Sequence, residues 1–434
     1  MRELKDVGVA WLGSIPEKWN TQKARWLFKE RNEKGNPVTV QLLTPSQKYG
    51  VLPQDVYQEV SGTKPVQVDA DKDLSEFKTV RRGDFCISLS AYMGGFEYSE
   101  YEGVISPAYH SFYHVSNETN NSYYKHLFKS SAFIDAINCI TPQSVRVGRN
   151  TSFDSFKDVL LPVPPVDEQS CIADYLDTKC SFIDSIITKQ EQVIEKLKEY
   201  KLAIITEVVT KGLNPNAEMK DSGIDYIGAI PKTWGICRLR NIGKLQNGIS
   251  KGGESFGFGT PFVSYGDVYK HYSLPEKVTG VDDASEDEKE HYSVQEGDIF
   301  FTRTSETIEE VGFSCVCEKT IPEATFAGFL IRVRPFDRKL LTSFSKYYFR
   351  ASHHRRYLVK EMNLVTRASL GQDLLKGMVV LVPPASEQGD IVSFLDKRCV
   401  AIDSAIKAKE SLIEKWTRYK KSVIYEVVTG KKEV

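Results

Sequence analysis

The side chains able to do chemistry are eight cysteines, seven histidines and a few glycine-rich turns, and their spacing decides what that chemistry is. Cys86, Cys139, Cys171, Cys180, Cys237, Cys315, Cys317 and Cys399 contain no C-x-x-C pair, and Cys315-x-Cys317 has the wrong spacing for a zinc knuckle. They read as reduced thiols in a cytoplasmic protein. His353 and His354 are adjacent, so on a helix their rings point to different faces. With Arg355, Arg356 and Lys360 they read as an exposed basic face rather than a metal pair. The glycine-rich stretch Lys251 to Thr260 lacks the Lys-Ser or Lys-Thr of a phosphate-binding loop. Pro164-Pro165 and Pro383-Pro384 are followed by Val166 and Ala385, which excludes the [DNS]-P-P-[YFW] tetrapeptide of an amino-methyltransferase and suits a helix lead-in. Neither G-x-S-x-G nor H-E-x-x-H occurs. The sequence therefore offers no catalytic constellation, and no metal or cofactor site is expected in the chain.

The dominant element is the stretch from Gln169 to Lys211, which is free of Gly and Pro. Its apolar residues recur at alternating steps of four and three, the signature of a heptad seam. Leu176, Ile183, Ile187, Ile194, Leu197 and Ile204 lie on it, with Cys180 and Val208. A continuous helix of this length spans roughly 60 Å at 1.5 Å per residue and needs a partner for its seam. The partner is in the same chain. From Glu387-Gln388 onward the pattern returns 219 places later, with Leu395, Ile402, Ile406, Ile413, Trp416 and Val427 on the seam. The polar interruptions repeat as well, Gln190 with Lys409 and Lys201 with Lys420, and polar seam residues fix register and pairing.

The chain is duplicated outside these helices too. Asp6, Gly8, Trp11, Gly13, Ile15-Pro16, Trp19 and Arg25 return 215 places later as Asp221, Gly223, Tyr226, Gly228, Ile230-Pro231, Trp234 and Arg240. Two copies of one unit, alike at their edges and divergent in their middles, follow. The two tryptophans read as structural anchors. Within the first copy the spacing predicts strands at Phe85 to Leu89 and Ser111 to Val115, a helix over Ser122 to Ile137, and a basic loop at Val145 to Arg149. The second copy has a strand after Gly297-Asp298, a strand over Phe326 to Val333, a helix over Leu341 to Ala351, and Thr366-Arg367-Ala368 in place of the basic loop.

At 434 residues and 49.1 kDa the chain has room for several domains, and 41% apolar and 11% aromatic content supports sizeable cores. No apolar run is long enough to span a membrane, and the charged start Met1-Arg2-Glu3 does not read as a signal peptide. A net charge of −1 does not announce nucleic acid.

These residues resemble the specificity (S) subunit of Type I restriction–modification enzymes. The resemblance is carried by Gly13-Ser14-Ile15-Pro16-Glu17-Lys18-Trp19 and Gly228-Ala229-Ile230-Pro231-Lys232-Thr233-Trp234. It is carried equally by Pro164-Pro165 through Glu168-Gln169, Pro383-Pro384 through Glu387-Gln388, and the helix signatures around Asp184 and Asp403. Ser106-Pro107-Ala108-Tyr109 and the run Gly297 to Thr304 resemble the target-recognition domains of that family. The resemblance implies an α+β protein of two α/β target-recognition domains, each followed by a long helix, the helices pairing as an antiparallel coiled coil. The expected bounds are 1–160 and 223–380 for the recognition domains, 161–212 and 381–434 for the spacer helices, and 213–222 for the linker. It further implies non-catalytic recognition of a bipartite, asymmetric site in double-stranded DNA and docking of two adenine methyltransferase subunits. S-adenosylmethionine and ATP would serve those subunits and the motor-nuclease subunits that join indirectly. The rival readings are a coiled-coil scaffold with two globular heads, or the detached recognition region of a fused restriction–methylation polypeptide.

Within that frame Arg303, followed by Thr304 and Ser305, leaves a strand as a loop; an arginine there can donate two bonds to guanine O6 and N7, the alternatives being a phosphate contact or a surface salt bridge. Arg146, Arg149 and Arg367 sit in basic loops before the long helices, where phosphate positioning is the expected role. Tyr92 and Met93, beside Gly94, and Lys251 with Gly252 are candidates for close approach to a groove, and turn formation alone explains those glycines equally well.

Overall fold

The computed structural model describes residues 2–34, 41–65, 75–88, 95–116, 118–140, 143–144, 148–149, 151–305, 311–361 and 368–434. The chain divides into two compact units, Met1–Gln190 with Ser411–Val434, and Glu191–Glu410. Each unit thus holds one globular half, the start of its own long helix and the end of the other helix. The long helices run Val166–Lys211 and Ala385–Val428.

The first unit is built on a four-stranded antiparallel sheet in the order Phe28–Glu30, His110–His114, Phe85–Ile87, Phe96–Tyr98. The second repeats that order with Gly243–Asn247, Leu330–Pro335, Ile299–Thr302, Ser314–Val316. Around each sheet the ends of the half are joined. Asn20–Lys23 pairs with Leu160–Val163 in one unit, and Gly235–Arg238 pairs with Val379–Val382 in the other. The register is the same, Lys23 opposite Leu160 and Arg238 opposite Val379. The offset of 215 at the front strand and 219 at the rear strand therefore brings equivalent residues together, and the insertions lie between them.

The cores follow from composition. The first unit buries an aromatic cluster in which Phe28 meets Phe85, Phe112 and Tyr124 edge-on at centroid distances of 5.9, 5.5 and 5.1 Å. Such geometry suits the ring quadrupole. The cluster continues onto Ile172, Leu176 and Cys180 of the first long helix and Val423, Ile424, Val427 and Val428 of the second. In the second unit Ile299, Phe301, Ile331 and Val333 of the sheet pack with Ile205, Val208 and Val209 of the first helix and Ile391, Leu395 and Cys399 of the second. Of the expected seam, Leu176, Ile183, Ile194, Leu395, Ile402 and Val427 are buried, whereas Ile187, Leu197, Ile204, Ile406, Ile413 and Trp416 are half-buried. Ile183, Ile194 and Ile402 are buried away from both globular cores, whereas Ile204 packs against the second core and stays half-buried.

Several local expectations change. The helix expected over Ser122 to Ile137 is two, Asn121–Leu127 and Ser131–Ile140, because Ser130 breaks the first with its hydroxyl bonded to Leu127 O at 2.7 Å. The strand over Phe326 to Val333 divides into Thr325–Phe326 and Leu330–Pro335 around Gly328. The basic face of Ser352 to Lys360 is a helix, Ser352–Glu361, but His353 and His354 are buried, not exposed. Their rings lie 3.8 Å apart between centroids, against Tyr348. No helix is long and apolar enough to cross a membrane among the described residues.

Candidate nucleic-acid interface and helix docking

The repeated motifs converge on one arrangement, built twice, that joins a globular half to its long helix. Trp19 Nε1 donates to Glu168 Oε2 at 2.9 Å, and Trp234 Nε1 donates to Glu387 Oε2 at 2.8 Å. Both indoles are buried, so a partner for the N–H is required. One residue on, Gln169 is fully buried and clamps the loop ahead of the next helix. Its Oε1 accepts from Asn120 N at 2.8 Å, and its Nε2 donates to Glu118 O at 2.6 Å and Pro164 O at 2.8 Å. Gln388 does the same, with Leu341 N at 2.8 Å, Lys339 O at 2.8 Å and Pro383 O at 2.9 Å. Two turns later Asp177 meets His126 at 2.8 Å and Lys125 at 3.3 Å, and Asp396 meets Tyr347 at 2.6 Å and Lys346 at 3.0 Å. The His126 hydrogen bond, ahead of the other causes, holds the Asp177 carboxyl below its usual range.

The far end of each helix docks equally firmly. Gly212 and Gly430 take left-handed φ of +75° and +71° just past the helices. A Cβ on Gly430 would run into the Pro16 ring and one on Gly212 into the Glu387 carboxylate, so chain and anchor pack at backbone contact. Tyr123 Oη donates to Val428 O at 2.7 Å inside the first unit.

The Gly83-Asp84 and Gly297-Asp298 turns are structural. Asp84 Oδ2 accepts from Arg81 N at 2.9 Å and Asp298 Oδ2 from Gln295 N at 2.8 Å. Each buried carboxylate is also held by an arginine fork, Arg31 at 2.6 and 3.0 Å and Arg334 at 2.8 and 2.7 Å. Sequence reasoning missed these arginines. Arg31 follows the edge strand Phe28–Glu30, whereas Arg334 lies within Leu330–Pro335, so no common offset links them.

Of the residues expected to face DNA, Tyr92, Met93, Gly94, Arg146 and Arg367 lie outside the described residues. Arg149 is in a two-residue strand, Gly148–Arg149, opposite Gln143–Ser144. Arg303 is half-buried at the base of a short ribbon in which Thr304 pairs with Ser369 and Ser305 with Ala368. Its N donates to Phe329 O at 2.8 Å and its O accepts from Leu370 N at 2.7 Å. Lys251 takes an internal position instead of an open one. Its Nζ lies 2.9 Å from Glu288 Oε2 and 3.7 Å from the buried Asp282, and it donates to Asp283 O. The Glu288 carboxyl is held down in pKa first by that lysine and then by the Ser285 backbone. Gly252 packs against the Glu254 carboxylate. The ammonium therefore serves the domain's own acids. No cluster of metal-ligating side chains occurs among the described residues.

A duplicated α/β unit, each copy gripping a long helix through the same Trp–Glu pair and glutamine clamp, defines the class. The chain matches the family described as Type I restriction modification DNA specificity domain twice, over residues 5–196 and 231–414, and belongs to it. It is similar to the EcoKI specificity subunit of Escherichia coli K12, 24% identical over 322 residues, 73% of this chain and 64% of that one. The StySPI specificity subunit of Salmonella potsdam is 22% identical over 399 residues, 90% of this chain and 76% of that one. The match thus spans less than two thirds of the EcoKI subunit's length. A solved chain from work on complex assembly and conformational transition of the type I R-M system shares the fold, with a TM-score of 0.69 at 15% identity over 96% of this chain and 99% of that one.

Proposed function

We propose that this protein is the non-catalytic DNA-recognition subunit of a Type I restriction–modification complex. Each globular half reads one part of a bipartite, asymmetric site in double-stranded DNA. The two long helices pair antiparallel as the spacer between the readings and dock two adenine methyltransferase subunits. Those subunits supply S-adenosylmethionine chemistry, and motor-nuclease subunits that join indirectly use ATP. The chain acts in the cytoplasm, where its DNA lies.

The observation that carries this reading is the twofold character of the scaffold. Lys201 of the first helix binds Asp403 of the second, and Lys420 of the second binds Asp184 of the first. These are the same two repeat positions with the helices exchanged, the relationship an antiparallel pair of equivalent helices demands. A partner that recognises one such end finds the same features at the other, which suits two copies of one methyltransferase. The divergent middles suit two different half-sites. The weak net charge fits shared phosphate contacts, since those dominate affinity and the methyltransferases would supply part of them. Arg303 is the favoured base contact, and Arg149 and Arg367 are assigned to phosphates.

Sequencing of methylated adenines in host DNA, with and without a functional copy of this chain, tests the proposal. One split motif should disappear on deletion and return on complementation. An unchanged methylation pattern excludes the role.

A further inference from the structure

The second unit carries an apolar cleft, one of whose lining residues, Phe329, is bonded to the backbone of Arg303. Phe329 is 63% exposed and Phe256 39% exposed, and both line a cleft of about 280 Å³ with Ile249, Phe262 and Tyr265. Single exposed apolar side chains are ordinary, but paired aromatics around one concavity mark a contact surface. The cleft is held rigidly. Ile249 bridges to Ala327, and Ile249 N donates to Phe326 O at 2.9 Å. A Cβ on Gly328 would collide with Ser250 Oγ, and one on Gly248 with Ala327 O, so the two loops are at backbone contact. On the other side Phe329 O takes the Arg303 N–H at 2.8 Å, and Leu330 N donates to Ala327 O at 2.9 Å. Phe329 thus faces outward, with its backbone bonded to that of Arg303.

Size and chemistry narrow the occupant. The cleft is smaller than the ~300–1,000 Å³ of sites that enclose a small molecule. Its one cation, Lys251, is engaged by Glu288 and Asp282, which leaves an apolar lining. In the major groove the apolar feature of a base edge is the thymine 5-methyl group, a partner for phenylalanine, and guanine O6 and N7 are the partners for arginine. Arg303 and Phe329 are adjacent, as neighbouring base edges are.

We infer that the Phe329–Phe256 cleft contacts the 5-methyl group of a thymine beside the base read by Arg303, and so fixes one position of the half-site taken by the second unit. This rests on the DNA-recognition reading above.

The test uses the full chain co-purified from its host with its methyltransferase partners. Once the methylated motif is known, each thymine in the site is replaced in turn by deoxyuridine, which lacks only the methyl. Binding is measured for the unaltered chain and for Phe329→Ala. At one thymine the replacement should cost the unaltered complex about fourfold in affinity, the equivalent of ~0.8 kcal/mol for one buried carbon, and should cost Phe329→Ala nothing. Equal deoxyuridine penalties in both proteins, no penalty at any position, or half-sites without thymine overturn the inference while specific DNA binding stands. A complex with no sequence-specific binding overturns the broader reading as well. The deoxyuridine series on the unaltered chain does not depend on how the variant folds.

Discussion

Lys201 Nζ lies 2.8 and 2.7 Å from the two carboxylate oxygens of Asp403, and the pair recurs with its helices exchanged as Lys420 at 2.7 Å from both oxygens of Asp184. In the sequence Lys201 and Lys420 appear as interruptions of an apolar seam. In the structure each is matched by an aspartate on the opposite helix, so the interruption specifies alignment.

The lysine is the better buried partner, Lys201 at 16% exposure against 49% for Asp403, and solvent screens the pair. Lys201→Asp or Asp403→Lys alone should destabilise the second unit by about 0.5–1 kcal/mol, the range of partly exposed pairs. The exchanged double variant should recover most of that loss. Thermal unfolding of the four proteins gives the coupling. Strict additivity of the two losses would mean that the pair does not set register.

The glutamine clamps should matter more. Gln169→Leu strands Asn120 N, Glu118 O and Pro164 O in a buried setting, and unsatisfied groups of that kind cost about 1–3 kcal/mol each. Urea unfolding should show a loss of at least about 2 kcal/mol, and Gln388→Leu should match it in the other unit. Gln190 is the control, since its buried Oε1 has no hydrogen-bond partner among the described residues. Gln190→Leu should be neutral or stabilising by up to ~1 kcal/mol. Equal effects at Gln169 and Gln190 would refute the clamp.

The histidine pair gives a pH signature. Burial pushes the His353 imidazole down to about 3 and His354 well below its ordinary 6.5. Among the described residues neither ring nitrogen of His353 has a hydrogen-bond partner, so the neutral form is the one that fits. The folded unit therefore binds fewer protons than the unfolded chain below pH 6.5. The His353 contribution is fully present above that pH and falls as the pH drops from 6.5 toward about 3, by up to about 1.4 kcal/mol per pH unit, and His354 acts in the same direction. Melting of the second unit should steepen in pH dependence across that window, and His353→Phe should flatten it. A slope unchanged by His353→Phe would contradict the assignment.

What could be read from the sequence was set by repetition. The duplicated edges, the long helices, the seam and the paired tryptophans were legible because equivalent residues keep fixed offsets, and the structure joins them in equal register. Roles that depend on a single copy were not. His353 and His354 sit in a run of basic residues, and charge alone suggests solvent. The rings of Tyr348 and Phe349 pack against them, a contact that charge alone does not reveal. Lys251 looked available because its partners, Asp282 and Glu288, lie more than thirty positions on, in an acidic run that reads as a solvated surface. Gln169 and Gln388 were visible as a motif, but their targets are backbone atoms, which carry no residue signature.

Two independent readers on one scaffold can be exchanged one at a time. Replacing Asp221 to Lys376 by the equivalent segment of another family member, while leaving both long helices intact, tests it most directly. Sequencing of methylated sites in cells carrying the exchange should show one half-site altered, the other half-site retained and the separation between them unchanged. Alteration of both half-sites in an active hybrid would contradict the account.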